Sequence, residues 1–466
     1  MGNITRRVDL IRKNIRNDSI FFLLVLLAYL AGQALIGTYS PERGEWHYNA
    51  PADVDFLYYA GIINQMEHSF PPQNPAYGGV PLSQSFIQYY PTVLVAQLTG
   101  PYPAMRILNL LYLLLLAYLF RRYFIPGWGI GLAVIATGSV GFGLLNSLGV
   151  DLIARGFNHF PFFIALTVAL FERQKMWLAY GCLFLLSWLH SYSALLVTIY
   201  FCVIVLMERF SRQSVIKLAF AMAGLTSAAI LTLGVADKPF YFPFVEGFGL
   251  DLTHLWPHAL AAAILIIPTG NSRIYIMAGV AFIFGLIFHY NPFFPVFILY
   301  FSAGWAAMVL YTRATRRPFT LVVVSLLFIG FFVGATGKYD PRDGGYIPIV
   351  DRVYEEAGKW LEENSPPEAV ILTVPLDGVR TSRLMEKRAL YLGFIPHVAH
   401  LGIDWRGRAE KLSQYFANPP VLMLEADYVI YGPAERQLFP TFSAGGKIAY
   451  MGEYVKIWKL KSETRN

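Results

Sequence analysis

The sequence has 466 residues, of which 56% are hydrophobic and only 14% are charged, and its mean hydropathy is +0.46. This composition excludes a soluble globule of that length and indicates a polytopic membrane protein. The formal net charge is +7, but the basic residues stand mainly at the ends of hydrophobic runs, where they orient membrane spans, so we expect no nucleic-acid partner.

The amino-terminal segment predicts an uncleaved first membrane helix with a cytoplasmic N-terminus. An apolar run from Ser19 to Gly37 is long enough to cross a bilayer, and positive charges mark the cytoplasmic flank of a span. A secretory signal peptide would have a shorter apolar region and a small-residue cleavage site. The basic residues ahead of the run are Arg6, Arg7, Arg12, Lys13 and Arg16.

A large outer loop, residues 39–102, is expected after this helix, and it contains the acidic pair Asp53-x-Asp55. A carboxylate just outside a membrane can act as a general base on a hydroxyl group. It can also supply oxygen ligands to a divalent cation such as Mg²⁺ or Mn²⁺. Since two closely spaced acids without further ligands at fixed spacing are a weak metal motif, we assign no metal ligand and no certain cofactor.

The acidic pair also has a structural interpretation. An Asp commonly caps the first turn of a helix, and Asp55 would do so if a helix began at Phe56. The neighbouring Tyr58 and Tyr59 are candidates for contacts with the substrate.

Ten further crossings are predicted, for a total of about 11 transmembrane helices. With this count the basic loops fall on the cytoplasmic side, and the first loop and the C-terminus lie outside the cytoplasm. The two cysteines, Cys182 and Cys202, lie inside hydrophobic runs and indicate neither a disulfide framework nor a zinc site. The predicted spans are Pro103 to Phe120, Gly129 to Leu148, Phe157 to Phe171, two short helices within Trp177 to Met207 that turn at His190, Ile216 to Val235, His258 to Pro268, Ile274 to Tyr290, Pro292 to Tyr311 and Phe319 to Ala335.

Ionisable residues near the outer ends of these spans are functional candidates, because such groups are costly at membrane depth unless they are paired or hydrated. Four of the candidates also have a structural alternative: an i,i+4 ion pair for Asp151 with Arg155, and hydrogen-bonded structural roles for His159 and His190. The candidates for binding the donor phosphate or the substrate are Asp151, Arg155, His159, His190, Asp251 and His254.

The composition changes after Ala335, and residues 337–466 predict a soluble α/β domain behind a transmembrane core of residues 1–336. Helical spacing runs from Ile349 to Glu363 and from Ala409 to Phe416, with strands at Ala369 to Val374 and Asp427 to Tyr431. A terminal hairpin is expected from Gly446 to Leu460, with its turn at Gly452. The domain contains no nucleotide-binding or metalloprotease motif, so a role in binding an acceptor, a lid-like role and a purely structural role all stay open.

The order of these parts resembles the GT-C superfamily of integral membrane glycosyltransferases. The features in common are an N-terminal helix, the outer loop DVDFLYYAGIINQ followed by FPPQNPAYGGVPL, many short helices and an outer α/β domain. Within that domain the stretch LEADYVIYGPAER, Leu424 to Arg436, is similar to outer domains of archaeal and bacterial members. Oligosaccharyltransferase members carry a Trp-Trp-Asp signature, whereas this chain has only Asp404-Trp405, which argues against transfer of a whole glycan to asparagine.

The resemblance implies a membrane glycosyltransferase that takes a sugar from a polyprenyl-phosphate-linked donor and passes it to a glycan, lipid or protein acceptor. It implies that Asp55, or Asp53 beside it, is the catalytic acid of the first outer loop. Such a reaction needs a base for the acceptor hydroxyl and a cation near the leaving phosphate, tasks that suit Asp55 and Arg155. A polytopic lipid or glycan transporter, a flippase or a non-catalytic cell-envelope assembly protein remains the alternative, although the internal repeats typical of transporters are not evident.

Overall fold

The computed structural model describes the chain in sixteen ranges and divides it into two compact units. The first unit consists of Met1–Thr38, Met105–Ala229 and Phe242–Pro341, and the second of Tyr39–Ala104, Ile230–Tyr241 and Arg342–Asn466. The described residues are 37–40, 45–48, 50–82, 86–119, 159–173, 175–189, 191–207, 212–235, 263, 266–287, 349–375, 384–393, 395, 398, 403–418 and 424–460.

Within the described residues, the first unit is built from apolar helices. Along the chain they are α3 (Pro101–Leu119), α4 (His159–Glu172), α5 (Met176–Leu189), α6 (Ser191–Met207), α7 (Arg212–Val235) and α8 (Ser272–Ile287). The start of α3 and the end of α7 belong to the second unit. Phe171 of α4 stacks on Phe201 of α6 with ring centroids 4.2 Å apart. Gly224 lets α7 approach α5, because a Cβ at this position would lie 2.9 Å from Phe184 Cδ2. The Ser187 hydroxyl donates to the Gly224 carbonyl at 2.8 Å, a small-residue contact typical of helices that pack in lipid.

These helices coincide in position along the chain with six of the predicted spans, including the pair within Trp177 to Met207 that was expected to turn at His190. The chain forms two helices there, Met176–Leu189 and Ser191–Met207, and His190 lies between them outside the described residues. No helix among the described residues is both long and apolar enough to cross a bilayer. The predicted spans Gly129 to Leu148, Pro292 to Tyr311 and Phe319 to Ala335 fall outside the described ranges. The same holds for the first span, Ser19 to Gly37, except for its last residue, and for most of the span His258 to Pro268. The count of eleven crossings therefore stays a prediction.

The second unit contains the segment of residues 39–102, called the outer loop after its predicted location, and the α/β domain. The loop folds into β1 (Gly37–Ser40), β2 (Glu45–Tyr48), α1 (Ala50–His68), β3 (Gln73–Asn74), β4 (Tyr77–Pro81), a 3-10 turn (Ile87–Tyr89) and α2 (Tyr90–Thr99). The domain follows with α9 (Ile349–Asn364), β5 (Val370–Leu372), β6 (Ala389–Leu390), α10 (Arg406–Ala417), β7 (Tyr428–Tyr431), α11 (Pro433–Leu438), β8 (Lys447–Met451) and β9 (Lys456–Lys459).

The domain sheet has the strand order β6-β5-β7-β9-β8. Strands β6, β5 and β7 are parallel, whereas β9 pairs antiparallel with β7 and forms the terminal hairpin with β8. The two predicted helices, the two predicted strands and the hairpin are therefore confirmed, and Gly452 lies in the hairpin turn. The sequence did not predict β6 and α11, because a two-residue strand and a six-residue helix are too short for a periodic pattern.

Helix α9 shows how the sequence pattern sets the packing. Its apolar stripe of Val353, Tyr354, Ala357 and Leu361 is buried, while Glu362 on the opposite face is exposed. This spacing places one side of the helix on the sheet and the acids in water.

The carboxylate of Glu435 lies completely buried where the parallel strands β5 and β7 end. It accepts hydrogen bonds from the hydroxyls of Tyr354 at 2.5 Å and Thr373 at 2.6 Å. It also accepts from the backbone N–H of Gly432 at 2.9 Å and of Val374 at 3.2 Å. A buried carboxylate needs such donors, and these four tie α9, β5 and α11 together.

We expect Glu435→Ala to destabilise the α/β domain by about 3 kcal/mol, because it leaves several buried donors without an acceptor. Hydrogen exchange at the amides of β5 and β7 should rise sharply in this variant. Glu363→Ala, which removes an exposed carboxylate from α9, is the matched control and should leave this exchange unchanged. Equal protection in the two variants would contradict the assigned role of Glu435.

Candidate functional site

The acidic pair lies inside helix α1 and not in a loop ahead of a helix. Because α1 begins at Ala50, Asp53 and Asp55 occupy its first two turns. Pro51 suits the first turn, where its missing N–H has no partner to lose, and acidic residues there are favoured by the helix dipole. The expectation that Asp55 caps a helix beginning at Phe56 is therefore wrong, since the helix already runs through Phe56.

Positions 53 and 55 lie on different faces of α1. An α-helix advances about 100° per residue, so two positions two apart lie about 200° apart around the axis. Position 55 shares its stripe with Tyr58, Tyr59 and Ile62, which are buried or partly buried. This spacing does not place the two acids on one face as a ligand pair for a cation.

The stripe of position 55 continues into an aromatic cluster. Tyr59 stacks on Tyr89 of the 3-10 turn with ring centroids 5.6 Å apart, and Tyr58 meets Tyr59 edge to face at 5.8 Å. Tyr58 and Tyr89 are buried, while Tyr59 is partly exposed. Stacked rings of this kind stabilise the region beyond their area burial and hold the outer loop against the first half of α1.

The outer loop is joined to the α/β domain by backbone hydrogen bonds. The N–H groups of Leu390 and Gly393 donate to the carbonyls of Pro75 and Ala76, each at 2.8 Å. Leu390 belongs to β6, which is the edge strand of the domain sheet. The turn between β3 and β4 thus covers an edge that would otherwise expose unpaired backbone groups.

Arg408 of α10 strengthens this junction. Its guanidinium lies over the rings of Tyr77 and Tyr391, 3.6 Å and 4.6 Å from their centroids. It donates to the carbonyls of Gly78 at 2.9 Å and Tyr391 at 2.6 Å. Burial lowers the pKa of Arg408, but a guanidinium group stays protonated in proteins at neutral pH. The cation therefore binds the outer loop and the domain together.

The other candidates from the sequence are only partly covered by the described residues. His159 is the first residue of α4, where the backbone alone is described. Asp151, Arg155, His190, Asp251 and His254 lie outside the described residues, so their roles stay predictions. Within the described part of the chain, no group of three or more His, Cys, Asp or Glu residues could hold a metal ion.

The basic cluster Arg380, Arg383, Lys387 and Arg388 in the α/β domain has a sequence pattern that predicts a solvated face rather than a phosphate clamp. This is wrong for Arg388, which is buried. Its guanidinium donates to the carbonyls of Glu362 at 2.7 Å and Ser365 at 2.8 Å, and so satisfies the open carbonyls at the end of α9. Sequence analysis missed the roles of the buried Arg388 and the half-buried Arg408, because nothing in a charged residue's local pattern distinguishes such a cation from a solvated one.

No protein-family model matches the sequence, and no curated protein matches it. Solved structures do resemble the fold. The crystal structure of ArnT from Cupriavidus metallidurans bound to undecaprenyl phosphate matches with a TM-score of 0.56 at 12% sequence identity, covering 94% of this chain and 97% of that chain. ArnT from the same organism in the apo state matches with a TM-score of 0.55 at 11% identity and the same coverage.

This likeness extends over nearly the whole of both chains and is a likeness of fold. It shows that this chain has a fold like that of ArnT, and membership of the GT-C superfamily stays a prediction from the sequence. Neither the reaction nor the acidic residue that performs it follows from similarity at this identity.

We expect the outer loop and the α/β domain to lie on the same side of the membrane, since two segments that exchange backbone hydrogen bonds share one compartment. Cysteines introduced at His68 and Ser443, both exposed, should react with a membrane-impermeant thiol reagent from the same side. Cys182 and Cys202 are free thiols and would first be replaced by serine. Labelling of the two sites from opposite sides would contradict the junction between loop and domain.

Proposed function

We propose that this protein is a GT-C glycosyltransferase that moves a sugar from a polyprenyl-phosphate-linked donor to a glycan, lipid or protein acceptor on the outer face of the membrane. The observation that carries the proposal is the likeness over 94% of the chain to ArnT bound to undecaprenyl phosphate. A second support is the acidic pair near the start of α1, where the superfamily carries its catalytic acid.

The proposed reaction is a direct displacement at the anomeric carbon of the donor. The acceptor hydroxyl oxygen attacks this carbon while its proton passes to a carboxylate of the protein. The bond between the anomeric carbon and the phosphate oxygen breaks, and polyprenyl phosphate leaves with the bonding electron pair. A general base accelerates such a step by about 10²- to 10⁴-fold, and a cation offsets the charge that grows on the phosphate.

We assign the role of general base to Asp55 in preference to Asp53. Position 53 lies on the stripe of α1 that includes Ala60 and Asn64, and Asn64 is bonded to the α/β domain. Position 55 lies on the far stripe, with the partly exposed Tyr59. Position 55 therefore lies on the face of α1 away from the domain contact, whereas position 53 lies on the face that makes this contact.

The remaining candidates have supporting roles in this proposal. Arg155 would offset the charge of the donor phosphate, with Asp151 and His159 near it in the sequence. Tyr58, Tyr59, His190, Asp251 and His254 are proposed to contact the donor or the acceptor. No divalent cation is required by the proposal, although added Mg²⁺ or Mn²⁺ would be tested.

We expect the donor to be a lipid phosphate and not a soluble nucleotide sugar, because nucleotide sugars are not available on the outer face. Membranes containing the full-length protein should release undecaprenyl phosphate from at least one member of a panel of synthetic undecaprenyl-phosphate monosaccharides. Transfer from a nucleotide sugar without any polyprenyl carrier would contradict this choice of donor. Movement of the intact donor across vesicles without release of undecaprenyl phosphate would favour a flippase instead.

We expect Asp55→Asn to lower turnover by about 10²- to 10⁴-fold while the binding of undecaprenyl phosphate stays within a few-fold of wild type. Asn keeps the shape of the side chain but cannot accept the proton, and Asp and Asn have similar helix propensities, so α1 should persist. The matched variant Asp53→Asn should keep most of the activity. Wild-type turnover in Asp55→Asn would remove Asp55 from the mechanism, and a loss confined to Asp53→Asn would assign the base to that residue.

A further inference from the structure

We propose that the α/β domain positions the catalytic helix, and that Gly61 and Asn64 are positioning residues because they attach α1 to the backbone of Met385 and Glu386. This inference rests on the proposed function, since it concerns how the acid on α1 is held. It assigns the domain a role in the geometry of the reaction that is separate from binding an acceptor.

The contact at Gly61 is a direct approach of two backbones. A Cβ at position 61 would lie 2.6 Å from the Met385 carbonyl oxygen and 3.1 Å from Pro75 Cβ. Real Cβ atoms essentially never come that close to a carbonyl oxygen. Only glycine therefore permits α1 to lie at its observed distance from the domain.

One helical turn later, Asn64 adds a specific bond to the same segment. Its side-chain amide donates to the Glu386 carbonyl at 2.6 Å. Gly61 and Asn64 are three apart and hence on one face of α1, so a single face of the helix is attached at two successive points.

The segment that receives α1 is itself held firmly. Lys387 forms ion pairs with Glu386 at 3.2 Å and Glu362 at 3.0 Å. Burial lowers the pKa of Lys387, but these two carboxylates outweigh burial, and its pKa lies above the ordinary value. Lys387 therefore stays charged at neutral pH. Arg388 then bonds the segment to the last turn of α9 through the Glu362 carbonyl at 2.7 Å.

The hairpin of β3 and β4, which follows α1, packs equally closely against the domain. A Cβ at Gly78 would lie 3.0 Å from both methyl carbons of Val370, and a Cβ at Gly393 would lie 3.0 Å from Ala76 Cα. Glycines on both sides of the junction bring the backbones together without flexible side chains between them. A displacement of the domain is thus passed on to α1 and not absorbed at the junction.

The distance from this junction to the acid is short. Gly61 follows Asp55 by six residues, which corresponds to about 9 Å along the helix axis. A helix of this kind moves as one body, and a misplacement of about 1 Å at a reacting group can lower the rate about 10²-fold. The junction is therefore close enough to determine where the acid stands relative to the acceptor hydroxyl.

The test compares Gly61→Ala with Gly181→Ala and Gly279→Ala in the full-length protein. All three replace a helical glycine, but a Cβ at position 181 or 279 meets nothing within 4 Å. We expect Gly61→Ala to lower turnover ten- to a hundredfold, with undecaprenyl phosphate binding and the KM for the donor within about twofold of wild type. The two control variants should retain wild-type turnover.

A second variant distinguishes a loss of the attachment from a folding defect in Gly61→Ala. Asn64→Leu keeps a side chain of similar size but removes the donor to Glu386, and it should show the same split between turnover and donor binding. Wild-type turnover in both variants would overturn the proposal. A loss of turnover accompanied by an equal loss of donor binding would also overturn it, because this indicates a general structural defect.

The positioning role of the domain and the proposed glycosyltransferase function can be contradicted independently of each other. If the wild-type protein releases undecaprenyl phosphate from no donor in the panel, the proposed function is wrong. Hydrogen exchange of the α1 amides then still tests the attachment: it should increase in Gly61→Ala and Asn64→Leu and stay unchanged in the control variants. Unchanged exchange in all four variants would contradict the attachment itself.

Discussion

The structure of the second unit depends on the backbone hydrogen bonds between the outer loop and the edge of the domain sheet. The carbonyls of Pro75 and Ala76 accept from the N–H groups of Leu390 and Gly393, two segments more than 300 residues apart in the chain. An edge strand with open N–H groups is a template for unwanted pairing, and here the protein's own loop occupies it. Most of the chain between these segments belongs to the other unit, yet the loop and the domain form one body.

Glycine and arginine make this junction possible for different reasons. Gly61, Gly78 and Gly393 remove the side chains that would keep the backbones apart. Arg408 supplies a planar cation that can stack on two tyrosine rings and bond to two carbonyls at once, which a lysine could not do. The result is a helix α1 whose orientation depends on the domain that follows hundreds of residues later.

The α/β domain uses the ends of its parallel strands for its own stability. The sheet of the domain carries a completely buried carboxylate, Glu435, where its parallel strands end, and this carboxylate is fully hydrogen-bonded. In many open α/β sheets this edge is where ligands bind. Here an internal anion occupies the backbone N–H groups of Val374 and Gly432, so these donors serve the domain's own stability.

Many of the secondary-structure elements of this protein could be predicted from local patterns in the sequence. Hydropathy indicated the membrane class and six helices at nearly the observed bounds, and a polar break predicted the two helices on either side of His190. Amphipathic spacing predicted α9 from Ile349 to Glu363, and the outer loop and the order of the parts predicted a fold of the kind that the ArnT structures show. Only the tertiary structure decided that Asp53 and Asp55 lie within α1, because a helix with buried residues on nearly all sides has no polar face to reveal its start. It also decided that Arg388 is buried, that Arg408 is half-buried and that the outer loop covers β6, since contacts between residues 300 positions apart leave no periodic pattern in either segment.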